Sequence, residues 1–160
     1  LGDKLIHFGR GYTPIDDKLD AILPYAYHLV LENSSTPHYW TEKLSDAYLG
    51  YAFPFYLGTP NLDAYFPRSA FIEVDPDRAT DAASSISKAI DEELYNARIP
   101  QVLAARDDIL STYNLFNHCI NQAEEKYNEH VTSRLHKIDT HKSFRKFPKD
   151  LFYKVKRKLE

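Results

Sequence analysis

The stretch HLVLENSSTPHYWTEKLSDAYLGYAFPFYLG, His28 to Gly58, decides how this chain folds. The apolar run Leu29-Val30-Leu31 predicts a strand that ends at Glu32-Asn33-Ser34-Ser35. A polar loop passes Pro37, and Thr41 then opens a helical pattern with Glu42 and Lys43 in its first turn. Leu44, Ala47, Tyr48 and Tyr51 recur on one side of that helix, and Phe53 to Leu57 reads as a buried strand. Strand, helix and strand in this order predict a parallel pair joined by a crossover. Ligands bind such sheets at the carboxyl ends of the strands, where Glu32, Asn33 and Ser34 fall.

Lys43 stands out within this stretch. A helix N-terminus carries partial positive charge and unpaired N–H groups, so a lysine there is locally unfavourable. One reading is an anion site, in which the ammonium and the helix N–H groups hold a phosphate together. Glu42 could accept hydrogen bonds from hydroxyls, and Asn33, Ser34 and Tyr39 add polar groups. That set suits a sugar nucleotide. The other reading is an ordinary helix capped by Thr41, with a solvated lysine; spacing alone leaves both open.

Outward from this core, Leu5 to Phe8 predicts a short strand, and Gly9-Arg10-Gly11 a turn, with Arg10 on a phosphate as the alternative. The glycines do not make GxGxxG, which argues against a dinucleotide fingerprint. Ile15 to Leu23 predicts a short helix stopped near Pro24. Thr59-Pro60-Asn61 is turn chemistry, Leu62 to Phe66 one helical turn, and Ala70 to Val74 another strand. Asp75-Pro76-Asp77 is read as a strand exit followed by a helix cap rather than as a metal-binding DxD motif. Thr80 to Tyr95 is amphipathic, with Ala82, Ala83, Ile86, Ala89, Ile90 and Leu94 inward. Ile99-Pro100 is expected to open the next helix, and Leu115 to about Leu135 another, with a break near Asn117.

Several classes are excluded by composition. No apolar run has the length of a membrane span, and a single cysteine, Cys119, precludes an internal disulfide framework. Cys119 is expected to be a packed thiol, in a reducing, cytoplasmic compartment. The chain has no methionine, which suggests an interior or trimmed segment. Charge divides it: residues 1–130 hold 10 Lys/Arg against 20 Asp/Glu, and residues 131–160 hold 10 against 3. The basic tail interleaves Phe144, Phe147, Leu151, Phe152, Val155 and Leu159 with cations. Packing onto the acidic body, peripheral contact with the inner face of a membrane, and nucleic acid are ranked in that order. His136, Asp139 and His141 lack metal-ligand spacing.

The motif string adds a resemblance. Leu31-Glu32-Asn33-Ser34, Tyr39-x-Thr41-Glu42-Lys43-Leu44, Asp46-Ala47, Pro54 and Gly58 together resemble the signature of the α-1,3/1,4-fucosyltransferases, glycosyltransferase family 10. Weaker similarity continues from Gly9-Arg10-Gly11 through Lys18 and Tyr25, and on through Phe71-Ile72-x-Val74-Asp75, covering roughly the first hundred residues. His38 departs from the pattern, where vertebrate members place an acidic residue.

What the resemblance implies is an α/β fold: a Rossmann-like parallel sheet with flanking helices, one lobe of a GT-B type glycosyltransferase, over residues 1–100. Residues 101–160, which the resemblance does not reach, read from their apolar spacing and charge as a C-terminal helical extension with a basic amphipathic tail. The implied function is the C-terminal part of an inverting fucosyltransferase that moves fucose from GDP-fucose to a glycan, of the bacterial lipopolysaccharide or surface-glycan type. The implied donor-binding residues are Glu32, Asn33, Ser34, Tyr39, Thr41, Glu42 and Lys43: Lys43 on the diphosphate, Glu42 on ribose or fucose hydroxyls, Asn33 and Tyr39 completing the contacts. The Thr59-Pro60-Asn61 loop falls near the donor. No catalytic residue is expected in this segment, because the general base belongs to an N-terminal lobe without a counterpart here. No metal is expected to be tightly bound, with Mn²⁺ or Mg²⁺ at most stimulatory. The alternatives are a non-catalytic nucleotide-sugar-binding or interaction fragment, and a transferase using another sugar nucleotide.

Overall fold

The computed structural model describes residues 1–9 and 11–129. The chain divides into two compact units, 1–121 and 122–160; of the second, only the helical residues 122–129 are described. The basic tail, the His136–His141 segment and Arg10 lie outside the described residues.

Unit 1 is built on three parallel strands in the order β1 (Tyr27–Leu31), β2 (Phe53–Leu57), β3 (Ile72–Glu73). The register pairs Tyr27 with Phe53 and Leu31 with Leu57 across β1 and β2, and Phe55 with Ile72 across β2 and β3. A parallel pair needs a crossover, which α1 (Glu42–Leu49) supplies between β1 and β2. Short 3-10 turns, Leu62–Ala64 and Arg68–Ala70, lead from β2 to β3. Three helices follow: α2 (Ala79–Asp91), α3 (Leu94–Ser111) and α4 (Leu115–Glu129). The α/β class and the parallel Rossmann-like sheet with flanking helices are as expected.

Central strand β2 is buried along Phe53 to Tyr56, so it reads as a continuous apolar run rather than an alternation. Successive side chains still point to opposite faces. Tyr56 enters the larger core with Val30, Leu44, Ala47, Tyr48, Phe66, Phe71, Val102 and Ile109. Phe55 enters a smaller core with Ile86 and Ala89 of α2. Tyr27 clamps this junction: its hydroxyl donates to the Ala89 carbonyl at 3.0 Å and accepts from the Tyr95 N–H at 2.8 Å.

Several expectations are corrected. Leu5–Phe8 is not a strand; it makes only an isolated bridge from Phe8 to Thr13, beside positive-φ glycines Gly9 and Gly11 that fold it back on itself. The Ile15–Leu23 helix shrinks to a 3-10 turn, Lys18–Ala21, capped by Asp17. Strand 70–74 contracts to two residues, because Arg68–Ala70 is already a 3-10 turn. Tyr51 lies past the end of α1 at positive φ and is exposed.

Helix α3 starts at Leu94, five residues before the expected Ile99-Pro100. Proline lacks only one N–H, and the preceding turns hold because Leu94, Tyr95 and Ile99 pack on the core. Since α3 runs through position 100, the 1–100 and 101–160 division cuts a helix. Cys119 is exposed, contrary to the expected packed thiol: its turn of α4 buries nothing, and Ile120 and Phe116 beside it are also exposed. Among the described residues no helix is long and apolar enough to cross a membrane.

Candidate functional site

The end of β1 and the start of α1 meet through one carboxylate. Glu32 follows the last strand residue, and its side chain is fully buried. Its Oε1 accepts from the Thr41 N–H at 2.8 Å. The Thr41 hydroxyl lies 2.8 Å from Oε2 and 3.0 Å from Oε1. The Lys43 ammonium stands 3.5 Å from Oε2. A buried charge is tolerable only when paired and hydrogen-bonded, and Glu32 is both.

Thr41 also caps the helix as its residue type predicts, with its Oγ1 accepting from the Lys43 N–H at 3.4 Å. The same hydroxyl therefore joins the strand end to the helix start. Gly58, at the end of β2, is needed for this closeness. A Cβ there would fall 2.7 Å from Glu32 Cγ and 2.2 Å from the Tyr56 hydroxyl oxygen.

Lys43 is thus not an isolated cation awaiting an anion. The chain itself supplies its counter-charge, Glu32, and Glu42 adds a second carboxylate at 3.7 Å. The lysine side chain remains about one third exposed while its ammonium pairs with the buried carboxylate. Glu32 lies deepest among the expected donor contacts: its oxygens bond to Thr41 and pair with Lys43, and none of its side chain reaches the surface. It positions its neighbours.

Around this pair, Glu42 is largely exposed at the first helical position. Its carboxyl is held below the ordinary range, first by the hydrogen bond from its own backbone N–H and then by the charge of Lys43. It is therefore an ionised acceptor at neutral pH. Asn33 is exposed, Ser34 is half-buried with its hydroxyl 2.7 Å from that of Thr36, and Tyr39 is 41% exposed. Five of the seven expected residues, Asn33, Ser34, Tyr39, Glu42 and Lys43, are thus at least partly exposed around the end of β1 and the start of α1, while Glu32 and Thr41 bond to each other beneath.

The Thr59-Pro60-Asn61 loop, which the resemblance puts near the donor, packs against the other expected residues' loop. The turn after β2 brings Thr59 and Asn61 against the loop at His38, whose backbone N–H donates to Asn61 Oδ1 at 2.8 Å. The Thr59 N–H donates to the Tyr56 hydroxyl at 3.0 Å. Burial, opposed by that hydrogen bond and reinforced by Glu32, pushes Tyr56 up to about 12, so this phenol stays neutral. In the sequence the turn chemistry of Thr59-Pro60-Asn61 and the irregular His38 hinted at this.

The remaining candidates do not join the site. Asp75 accepts from the Asp77 N–H at 2.9 Å, a local cap. No group of three His, Cys, Asp or Glu side chains among the described residues could hold a metal ion. An open cleft of about 480 Å³ lies between residues 4–8 and β1, lined by His7, Lys18, Tyr25 and His28 among others, but by none of the seven residues. It runs along the edge of β1 opposite β2. His28 Nδ1 is buried there without a partner among the described residues, and burial, then the charge of Lys18, hold its pKa below the usual value.

Comparison with known proteins places these observations. The family model described as glycosyltransferase family 10 (fucosyltransferase) C-term matches residues 7–97. The 3-galactosyl-N-acetylglucosaminide 4-alpha-L-fucosyltransferase of Bos taurus is 33% identical over 91 residues, 54% of this chain. The chain spans only 25% of the length of that curated relative. Two solved structures of an alpha1,3-fucosyltransferase, one with GDP, are each 23% identical over 64% of this chain. Their TM-scores are 0.49 and 0.48, with 35% and 36% of those chains covered. With the family match taking in more than half of its residues, Lys43 and its buried partner among them, this chain belongs to glycosyltransferase family 10, the fucosyltransferases.

Proposed function

We propose that this chain supplies the donor-binding region of an inverting fucosyltransferase, and that its donor is GDP-fucose. The observation that carries the reading is the Lys43 ammonium. A buried carboxylate pairs with it at the start of α1, its side chain is one third exposed, and it lies within the family match. Transfer breaks the bond between the sugar and the diphosphate and leaves negative charge on the departing GDP. A cation already in place there stabilises that charge without reorganising.

Glu42, ionised and exposed, accepts hydrogen bonds from sugar hydroxyls. Asn33, Ser34 and Tyr39 line the approach, while Glu32 and Thr41 hold the geometry beneath. The acceptor hydroxyl attacks the sugar carbon from the opposite face and passes its proton to a general base. We assign that base to a part of the protein outside this segment, so the segment alone binds donor at most weakly and turns nothing over. The acceptor class, a bacterial surface glycan, rests on the resemblance alone.

Calorimetric titration with GDP tests this. Binding by the wild-type chain that is lost in K43A, and weaker binding of UDP and CMP, is the expected result. No heat with GDP, or equal heat with all three nucleotides, overturns it. A second reading is favoured by the Glu32–Lys43 pair itself: the lysine serves only to neutralise a structural carboxylate. That reading predicts that K43A loses stability while GDP binding is nil in the wild-type chain too.

A further inference from the structure

Tyr39 lies between two anchored neighbours. On one side is His38, at φ 65°, a left-handed conformation that non-glycine residues adopt only when their surroundings hold them. Its backbone N–H donates to Asn61 Oδ1 at 2.8 Å, and its Nδ1 is 2.8 Å from the Tyr65 hydroxyl and 3.0 Å from Asn61 Nδ2. The same Asn61 Oδ1 accepts from the Thr59 hydroxyl at 2.6 Å. One asparagine thus serves the backbone and the ring of His38 together and ties both to the turn after β2. On the other side is Trp40, whose ring packs edge-on against Tyr65, Phe66 and Tyr113 at centroid distances of 5.8, 5.5 and 5.4 Å. Tyr65 belongs to both anchors.

Tyr39 itself keeps much of its surface open. A side chain that is exposed while the backbone on each side is pinned meets a ligand with little ordering left to do, and affinity gains from that. We propose that His38, held by Asn61 and Tyr65, is a positioning residue that sets the pose of Tyr39 for the nucleotide-sugar donor. His38 touches no donor group in this scheme; it acts through Tyr39. The inference rests on the donor reading given above and adds to it the turn after β2 as the element that tunes affinity.

Three variants test it. H38G keeps the left-handed backbone and its N–H but removes the ring. Y65F removes only the hydroxyl. H38N places an Oδ1 near the position of the imidazole Nδ1 and tolerates positive φ. Trp40 is the only tryptophan in the chain, so its fluorescence reports on this loop directly. H38G and Y65F are expected to weaken GDP binding by calorimetry roughly three- to tenfold, the scale of one lost hydrogen bond. Acrylamide should quench Trp40 more readily in both, and H38N should restore GDP affinity and quenching to near wild type. If the wild type binds GDP and H38G and Y65F bind it equally well, this inference falls and the donor reading stands. Weaker binding with unchanged Trp40 quenching, or failure of H38N to restore affinity, also overturns it. A wild-type chain that binds no GDP overturns both.

Discussion

The fully buried Glu32 carboxylate lies 3.5 Å from the Lys43 ammonium, and the two residues sit at opposite ends of the loop that joins β1 to α1. Closing that loop with a charge pair and the hydrogen bonds of Thr41 makes the local structure depend on a single acid. E32A leaves Lys43 and the Thr41 N–H and hydroxyl without their common partner. It should cost on the order of 1–3 kcal/mol in urea unfolding, as leaving a buried hydrogen-bonding group unpaired does. E32Q keeps hydrogen-bonding capacity and should cost less. T41A removes the cap as well as the donor to Glu32, and about 1–2 kcal/mol is expected. Because both variants break the same network, the double variant should lose less than the two single losses combined.

Lys43 should reveal two roles in two measurements. K43A strands Glu32 without its counter-charge, so its melting temperature should fall even with no ligand present. GDP binding should fall as well. K43R is not a neutral replacement, because a planar guanidinium presents its donors in a fixed fork where the ammonium is a point charge. Calorimetry with GDP on K43R should show weaker binding while urea unfolding shows most of the stability retained.

Gly58 is expected to be intolerant of the smallest side chain. The alanine Cβ would meet the Tyr56 hydroxyl oxygen at 2.2 Å and Glu32 Cγ at 2.7 Å, and both belong to the buried network. G58A should destabilise by about 1–3 kcal/mol, the range for overpacking a close-packed interior. Measured against Y56F alone, the added loss from G58A should shrink only in part, because the ring Cζ, 2.5 Å from the added Cβ, remains. An added loss as large as in the wild-type background would place the strain on that ring carbon and on Glu32 Cγ.

Acid should weaken the fold in two separable windows. His28 has a pKa lowered from 6.5, by burial first and then by Lys18, so the folded state binds its proton less readily than the unfolded state. Stability from this term is complete above 6.5 and is lost as pH falls from there through the folded value. Glu42 is lowered from 4.5, so its contribution is present above 4.5 and lost as pH falls below it. Urea midpoints measured from pH 8 to pH 4 should drop as pH falls below 6.5 in the wild type. H28N should flatten that part of the curve and leave the lower one intact.

Much of the site was legible from spacing. Thr41 announced the cap, the run Phe53 to Tyr56 announced a strand covered on both faces, and Leu44, Ala47 and Tyr48 announced the buried side of α1. Each of these signals is local, carried by a residue type and its period. The Leu5–Phe8 segment is apolar enough for a strand, but a strand requires a paired neighbour, and apolar character cannot supply one. Pro100 was read as a boundary because proline removes a hydrogen bond. The core contacts of Leu94, Tyr95 and Ile99 outweigh that single loss.

By itself, then, the sequence determined the βαβ unit, its parallel pairing, the capped helix start and the family signature across it, because periodicity and capping act between residues a few positions apart. Only the tertiary structure decided what Lys43 is paired with, which of the expected donor contacts is buried, and how Asn61 and Tyr65 fasten His38. Glu32 and Lys43 are eleven positions apart, and His38 and Asn61 twenty-three. No local pattern spans such separations. Two side chains that far apart in sequence meet only when the sheet has formed and the loops at its edge have closed over it.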